Sequence, residues 1–208
     1  MNGGNGLYDE KINCLAETML KRTTTRWLGV FARDELPSEE KLLQAQAKSG
    51  LHLTFALVFN NQPASEPGQH WLAIFGMAAA TAGDGSVAVQ NGGGLHIEFF
   101  DSYALPPATY SLHTHFERIA HFSQHPLQLP SSALCGHSCL YFLFARSQGY
   151  TFAFIITRLA HHSVHHDKHA YLGVCKYITP RTAFLAPCNN RTRPNHHRQF
   201  CQIKCSFC

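Results

Sequence analysis

Between residues 8 and 22, apolar side chains recur at Ile12, Leu15, Met19 and Leu20. That spacing marks one face of an amphipathic helix. The pattern then changes: the runs 51–59, 70–77 and 95–100 are short, apolar and rich in β-branched or aromatic residues, as central strands are. Pro63 to Gly68 form a loop leading into His70, and the glycines from Ala82-Gly83-Asp84-Gly85 to Gly92-Gly93-Gly94 bound a hairpin-like excursion. Pro106-Pro107 ends the third run. Helices are expected over about 111–122, 135–148 and 151–160. Parallel-like strands with helices segregated around them predict an α+β fold, and no internal repeat is visible.

Composition agrees with one such domain. At 208 residues, with 45% hydrophobic and 12% aromatic content, the chain is long and apolar enough to bury a sizeable core. No run approaches the roughly 18 apolar residues of a membrane span. Met1-Asn-Gly-Gly-Asn-Gly is not a signal peptide, so a soluble, intracellular, monomeric protein with no membrane partner is expected. The eight cysteines do not read as a secreted disulfide framework, because Cys175, Cys188, Cys201, Cys205 and Cys208 crowd the last 34 residues. Only Cys14, Cys135 and Cys139 remain for the body.

Charge divides the chain at the same place. Residues 161–208 hold Lys168, Lys176, Arg181, Arg191, Arg193, Arg198 and Lys204 against Asp167 alone, a balance of +6 in a chain of net +4. We therefore expect a domain over residues 1–160 and a basic, His- and Cys-rich, poorly ordered tail over 161–208. Such a tail can hold DNA non-specifically by counterion release. Its His161, His162, His165, His166 and His169, with Cys188, Cys201, Cys205 and Cys208, could also supply zinc ligands. The spacing Cys201-x3-Cys205-x2-Cys208 lacks a paired-knuckle pattern, so no metal is expected.

The candidate chemistry lies in the body. In Gln128-Leu-Pro-Ser-Ser-Ala-Leu-Cys135-Gly136-His-Ser-Cys139, a small-residue turn delivers Cys135 into an apolar helical run. Helix N-terminal amides favour an anion there, so Cys135 is a candidate thiolate nucleophile. His70, opening the run His70-Trp71-Leu-Ala-Ile-Phe, can take its proton or pair with the thiolate. Asp101, closing Ile97-Glu98-Phe99-Phe100-Asp101, can accept a hydrogen bond from the other imidazole nitrogen and fix the tautomer. Gln128 and the backbone N–H of Cys135 can face a developing oxyanion. Gly136 keeps the turn uncrowded. Each residue has a plainer reading: a buried small thiol, a packed His-Trp pair, an Asx turn, a loop glutamine. Cys139 reads as core packing or as a redox partner of Cys135.

The order His, Asp, Gln, Cys, with HW opening a strand, FFDSY closing the next and Q-x6-CG at a helix start, resembles the adenain-like cysteine proteases. These include the adenovirus maturation protease and Maverick/Polinton-type proteases, with the SUMO-specific proteases as distant kin. Trp27–Pro37 is similar to the family's substrate-side N-terminal motif, and Val58-Phe59-Asn60 to the strand before the histidine loop. The resemblance covers roughly residues 7–160. It implies a papain-like fold with a central mixed sheet flanked by helices and the nucleophile at the start of a buried helix. It also implies an endopeptidase of viral or mobile-element precursors, with His70, Asp101, Gln128 and Cys135 catalytic and Trp71 and Gly136 on the substrate side. No cofactor is expected beyond the activating peptide or DNA that the family allows. The alternatives are a SUMO- or ubiquitin-like isopeptidase and an inactive remnant binding nucleic acid or protein through its tail. Relatives often carry an aromatic where this chain has Ser138.

Overall fold

The computed structural model describes residues 7–49, 54–78, 94–161 and 174. Five strands, Thr25–Phe31 (β1), Thr54–Asn60 (β2), Trp71–Ala78 (β3), Leu95–Phe100 (β4) and Ile119–Phe122 (β5), form one sheet in chain order. The pairs β2–β3 and β3–β4 are antiparallel, whereas β1 joins β2 and β5 joins β4 in parallel. The sheet is thus mixed, and its central strands are antiparallel rather than parallel-like.

β2 and β3 are almost wholly apolar because both faces of the sheet are covered. Ala56, Val58, Ala73, Phe75 and Phe100 point to one face. There they meet Ile12, Leu15, Ala16, Met19 and Leu20 of helix α1 (Asp9–Leu20), Leu140, Phe142 and Leu143 of α3 (Cys135–Ser147), and Ile155 and Leu159 of α4 (Phe152–His161). Phe100 stacks on Phe142 with ring centroids 4.8 Å apart. The alternate side chains Phe55, Leu57, Phe59, Leu72, Ile74, Ile97 and Phe99 fill the other face. Helix α2 (Glu39–Ser49) covers it with Leu42 and Leu43, and two 3₁₀ turns, Pro107–Tyr110 and Leu112–Thr114, add Tyr110 and Leu112. The architecture is α+β, with a buried helix starting at Cys135.

One expected element is different. Residues 111–122 are not a helix: the second 3₁₀ turn leads into β5, whose Ile119 pairs with Ile97 of β4. Strand β1 and helix α2 are additional to the elements expected from the pattern. The glycine-rich excursion lies outside the described residues, as does the tail after His161 apart from Val174, whose side chain is fully buried in the α1/α3 core. Among the described residues no helix is long and apolar enough to cross a membrane.

Candidate active site

His70 is the last loop residue before β3, and Asn61 fixes it there. The Asn61 side-chain oxygen accepts the His70 N–H at 3.0 Å, and the Asn61 N–H donates to the His70 carbonyl at 3.0 Å. Gly68 allows this loop to close, since a Cβ on it would stand 1.7 Å from Asn60 Nδ2. Asp101 follows β4 directly. The β3–β4 register sets Ala73 opposite Phe100, so the two strands carry His70 and Asp101 to one end of the sheet. Their side chains meet there, His70 Nε2 to Asp101 Oδ1 at 2.7 Å, with Asp101 wholly buried.

The carboxylate is held from four sides. Oδ1 also accepts the Tyr103 N–H at 2.8 Å, and Oδ2 accepts the Leu105 N–H at 3.1 Å and the Tyr110 hydroxyl at 2.8 Å. Burial, then the charge of Asp101, pushes the Tyr110 hydroxyl pKa up, so this group stays a donor. A carboxylate only accepts, so Nε2 carries the proton facing Asp101 and Nδ1 is the nitrogen left for other chemistry. Tyr103 stacks on the imidazole with centroids 4.5 Å apart, which fixes the ring plane.

Helix α3 begins at Cys135, with Leu134 as an N-cap lacking a side-chain bond. The first N–H to bond back is that of Ser138, to the Leu134 carbonyl at 3.0 Å. Those of Cys135, Gly136 and His137 have no intrahelical acceptor, as at any helix start, and leave a positive field over the thiol. Four residues on, the Cys139 thiol donates to the Trp71 carbonyl at 3.3 Å, pinning the first turn of α3 to the start of β3. That link brings Cys135 beside His70. Burial opposes a charge on His70, but the bond to Asp101 and then the neighbouring Cys135 sulfur outweigh it and push its pKa up to about 9. His70 Nδ1 is buried without an aligned hydrogen bond among the described residues. The sulfur is near enough to stabilise the imidazolium. Cys139 is fully buried, and burial first, then Cys135, pushes its pKa well up, so it is a packing thiol.

The chain is distantly similar in backbone path to solved structures that include two proteases. The first is the ASFV pS273R protease, 19% identical over 74% of this chain and 62% of that one, with a TM-score of 0.43. The second is the SUMO protease Ulp1 in a form whose catalytic cysteine is oxidised to a sulfinic acid, 13% identical over 85% of this chain and 81% of that one, with a TM-score of 0.41. The chain therefore spans less than two thirds of the ASFV protease. No family model and no curated protein matches the sequence. Likenesses this distant concern the path of the backbone and say nothing of the chemistry.

The remaining expected residues lie around the same end of the sheet. Gln128 is buried and clamped: its Oε1 accepts from the Ser102 hydroxyl at 2.6 Å, and its Nε2 donates to the Ser132 carbonyl at 2.6 Å and the Tyr103 hydroxyl at 3.3 Å. Its amide thus points at neighbouring protein groups in this state. Trp71 donates its indole N–H to the Leu7 carbonyl at 2.8 Å. Gly136 lies under it, where a Cβ would stand 3.2 Å from Ile12 Cδ1 and Leu7 Cβ and 3.3 Å from Trp71 Cδ1. Both residues are packed against the N-terminal segment. Tyr110, Tyr103, Ser102 and Asn61 were not among the expected site residues. Tyr103 and Ser102 directly follow Asp101, and that adjacency was the one available signal.

Proposed function

We propose that the chain is a cysteine endopeptidase whose nucleophile is the Cys135 thiolate. The observation that carries this reading is the imidazole of His70, with one nitrogen on a buried, four-fold bonded Asp101 and its charged form favoured by the neighbouring thiol at a helix start. The thiolate attacks the scissile carbonyl carbon, and the carbonyl π pair moves onto oxygen. The N–H of Cys135 donates to that oxygen. Gln128 supplies a second donor by exchanging its long bond to Tyr103, the weaker of its two, for the oxyanion. The His70 imidazolium then protonates the departing amine as the C–N bond breaks, leaving a thioester. Water, losing a proton to neutral His70, attacks the thioester and frees the acid and the thiolate. Trp71 and Gly136 form the wall beside the sulfur.

The resemblance in the sequence points to viral or mobile-element precursors as substrates. A SUMO- or ubiquitin-like isopeptidase uses the same four groups, and parallel assays on a precursor peptide and a ubiquitin-like fusion separate the two. The test of the chemistry is a peptidyl electrophile that reacts only with activated thiols. Labelling at Cys135, abolished by Cys135→Ala and at least tenfold slower in His70→Ala, is expected. Folded protein that does not label, or labels equally at Cys14, ends this reading.

A further inference from the structure

At the end of β4 remote from Asp101, His96 and Glu98 alternate with the buried Leu95 and Ile97. The two-residue period of a strand therefore sends both side chains out on the α3 face. In β5, His121 pairs with Glu98 in the parallel register. Three metal-ligating side chains thus share one patch of sheet, two from alternate positions of one strand and one from its neighbour. His96 Nε2 stands 3.5 Å from Glu98 Oε1, the two imidazoles meet with centroids 5.4 Å apart, and one ligand atom from each of the three residues lies within 4.8 Å of the others. Glu98 is buried at the base of the patch, whereas His121 is exposed and His96 is 40% exposed, so the patch opens to solvent.

The charge of Glu98 is already balanced. Arg146 of α3 donates to both carboxylate oxygens, Nε to Oε2 at 2.5 Å and Nη2 to Oε1 at 3.0 Å, with its guanidinium 4.9 Å from the centre of the Phe75 ring. The imidazoles are not needed to neutralise the acid. They bring nitrogen ligand atoms to a carboxylate that retains lone pairs. We propose that His96, Glu98 and His121 bind zinc through two imidazole nitrogens and one carboxylate oxygen, leaving one tetrahedral position to water. Ligands at tetrahedral zinc distances stand about 3.3 Å apart, close to the existing His96–Glu98 separation. His121 also stacks on Phe152, with ring centroids 5.8 Å apart. Arg146 orients the carboxylate as an outer-shell donor and, being a cation, weakens the site.

The site is separate from the chemistry proposed above. Along the extended strand, Glu98 lies three residues from Asp101, about 10 Å, and His96 five residues, about 16 Å. What the ion joins is β4 to β5, an edge strand of four residues, so its effect falls on stability. The reading is independent of the protease assignment.

The test uses the full chain carrying Cys135→Ala and serine at Cys175, Cys188, Cys201, Cys205 and Cys208, because thiolates at those positions also bind zinc. Cobalt(II) stands in as the probe, since nitrogen and oxygen ligation gives visible d–d bands without the charge-transfer absorption that thiolates add. One equivalent of cobalt with d–d bands alone, displaced by zinc, is expected. His96→Ala and His121→Ala should each weaken binding at least about a hundredfold, since outer-shell changes alone cost ten- to hundredfold. They should also abolish the zinc-dependent rise in melting temperature. His121→Gln serves if alanine impairs folding. Absence of the bands, bands unchanged in the His96→Ala/His121→Ala double variant, or only a charge-transfer spectrum overturns the proposal.

Discussion

At His70, burial opposes the charged ring while Asp101 and then Cys135 favour it, and the balance lies at a pKa of about 9. The folded value is above the ordinary 6.5, so the stability it contributes is complete below pH 6.5 and is lost as pH rises through about 9. Resistance of the native chain to urea should therefore fall between pH 6.5 and 9, and His70→Gln should flatten that slope. Cys135→Ala removes one of the two groups that favour the imidazolium. Its His70 resonance should consequently titrate below the native value by NMR; an unchanged midpoint would mean that the sulfur and the ring do not interact. The glutamine clamp divides two further roles. Gln128→Ala removes an oxyanion donor and should lower kcat roughly a hundred- to thousandfold at nearly constant KM. Ser102→Ala only frees the other end of that amide, so its loss should be about tenfold and again confined to kcat. A KM effect in either variant would make Gln128 a substrate contact instead.

Among the elements, the strand that follows His70, the strand that precedes Asp101 and the helix starting at Cys135 were legible because each is a sharp change of pattern at a short motif. Residues 111–122 were not. Leu112, Phe116 and Ile119 fall at helical spacing, and Leu112 and Phe116 are indeed buried. Yet Ser111 takes a left-handed φ of 55°, which breaks the turn, and Ile119 is claimed by the open edge of β4. Tertiary pairing overrode the local period. The helix signal in Ser38-Glu39-Glu40-Lys-Leu-Leu-Gln-Ala-Gln-Ala-Lys is strong by propensity, and α2 shows that it needed no motif to support it. The donors on Asp101 could not be read, since Tyr110 reaches it only through the 3₁₀ turn. Tyr110→Phe should lower stability by about 1.5–3 kcal/mol, the range for a hydrogen bond to a charged group, as read by urea denaturation. Ala104 sits in the turn after Asp101 at φ 60°, its N–H bonded to the Asp101 carbonyl at 3.0 Å. A β-branched residue is strained there, so Ala104→Val should destabilise by roughly 1–3 kcal/mol and slow turnover, whereas Ala104→Gly should do neither.

For the molecule as a whole, the charged C-terminal segment meets the domain at Val174. Charge and cysteine content place the boundary at residue 160, but the side chain of Val174 is fully buried with Phe142, Ile155 and Leu159 in the α1/α3 core. A composition change marks where solubility and charge are managed, whereas a core closes wherever an apolar side chain finds a cavity to fill. The two boundaries can be separated by truncation. A chain ending at Ala160 loses Val174, and burying a valine is worth roughly 1.5–3 kcal/mol, or about 5–10 °C in melting temperature for a domain of this size. A chain ending at Pro180 keeps Val174 yet loses Arg181, Arg191, Arg193, Arg198 and Lys204, five of the basic residues and no acidic one. The longer truncation product should melt with the full chain and label at Cys135 as fast, but elute from heparin at clearly lower salt, because counterion release scales with the number of paired charges. The shorter one should melt lower. Equal melting of all three chains would show that Val174 adds nothing to the core, and equal heparin elution of the 1–180 and full-length chains would locate the anion-binding charge in the body.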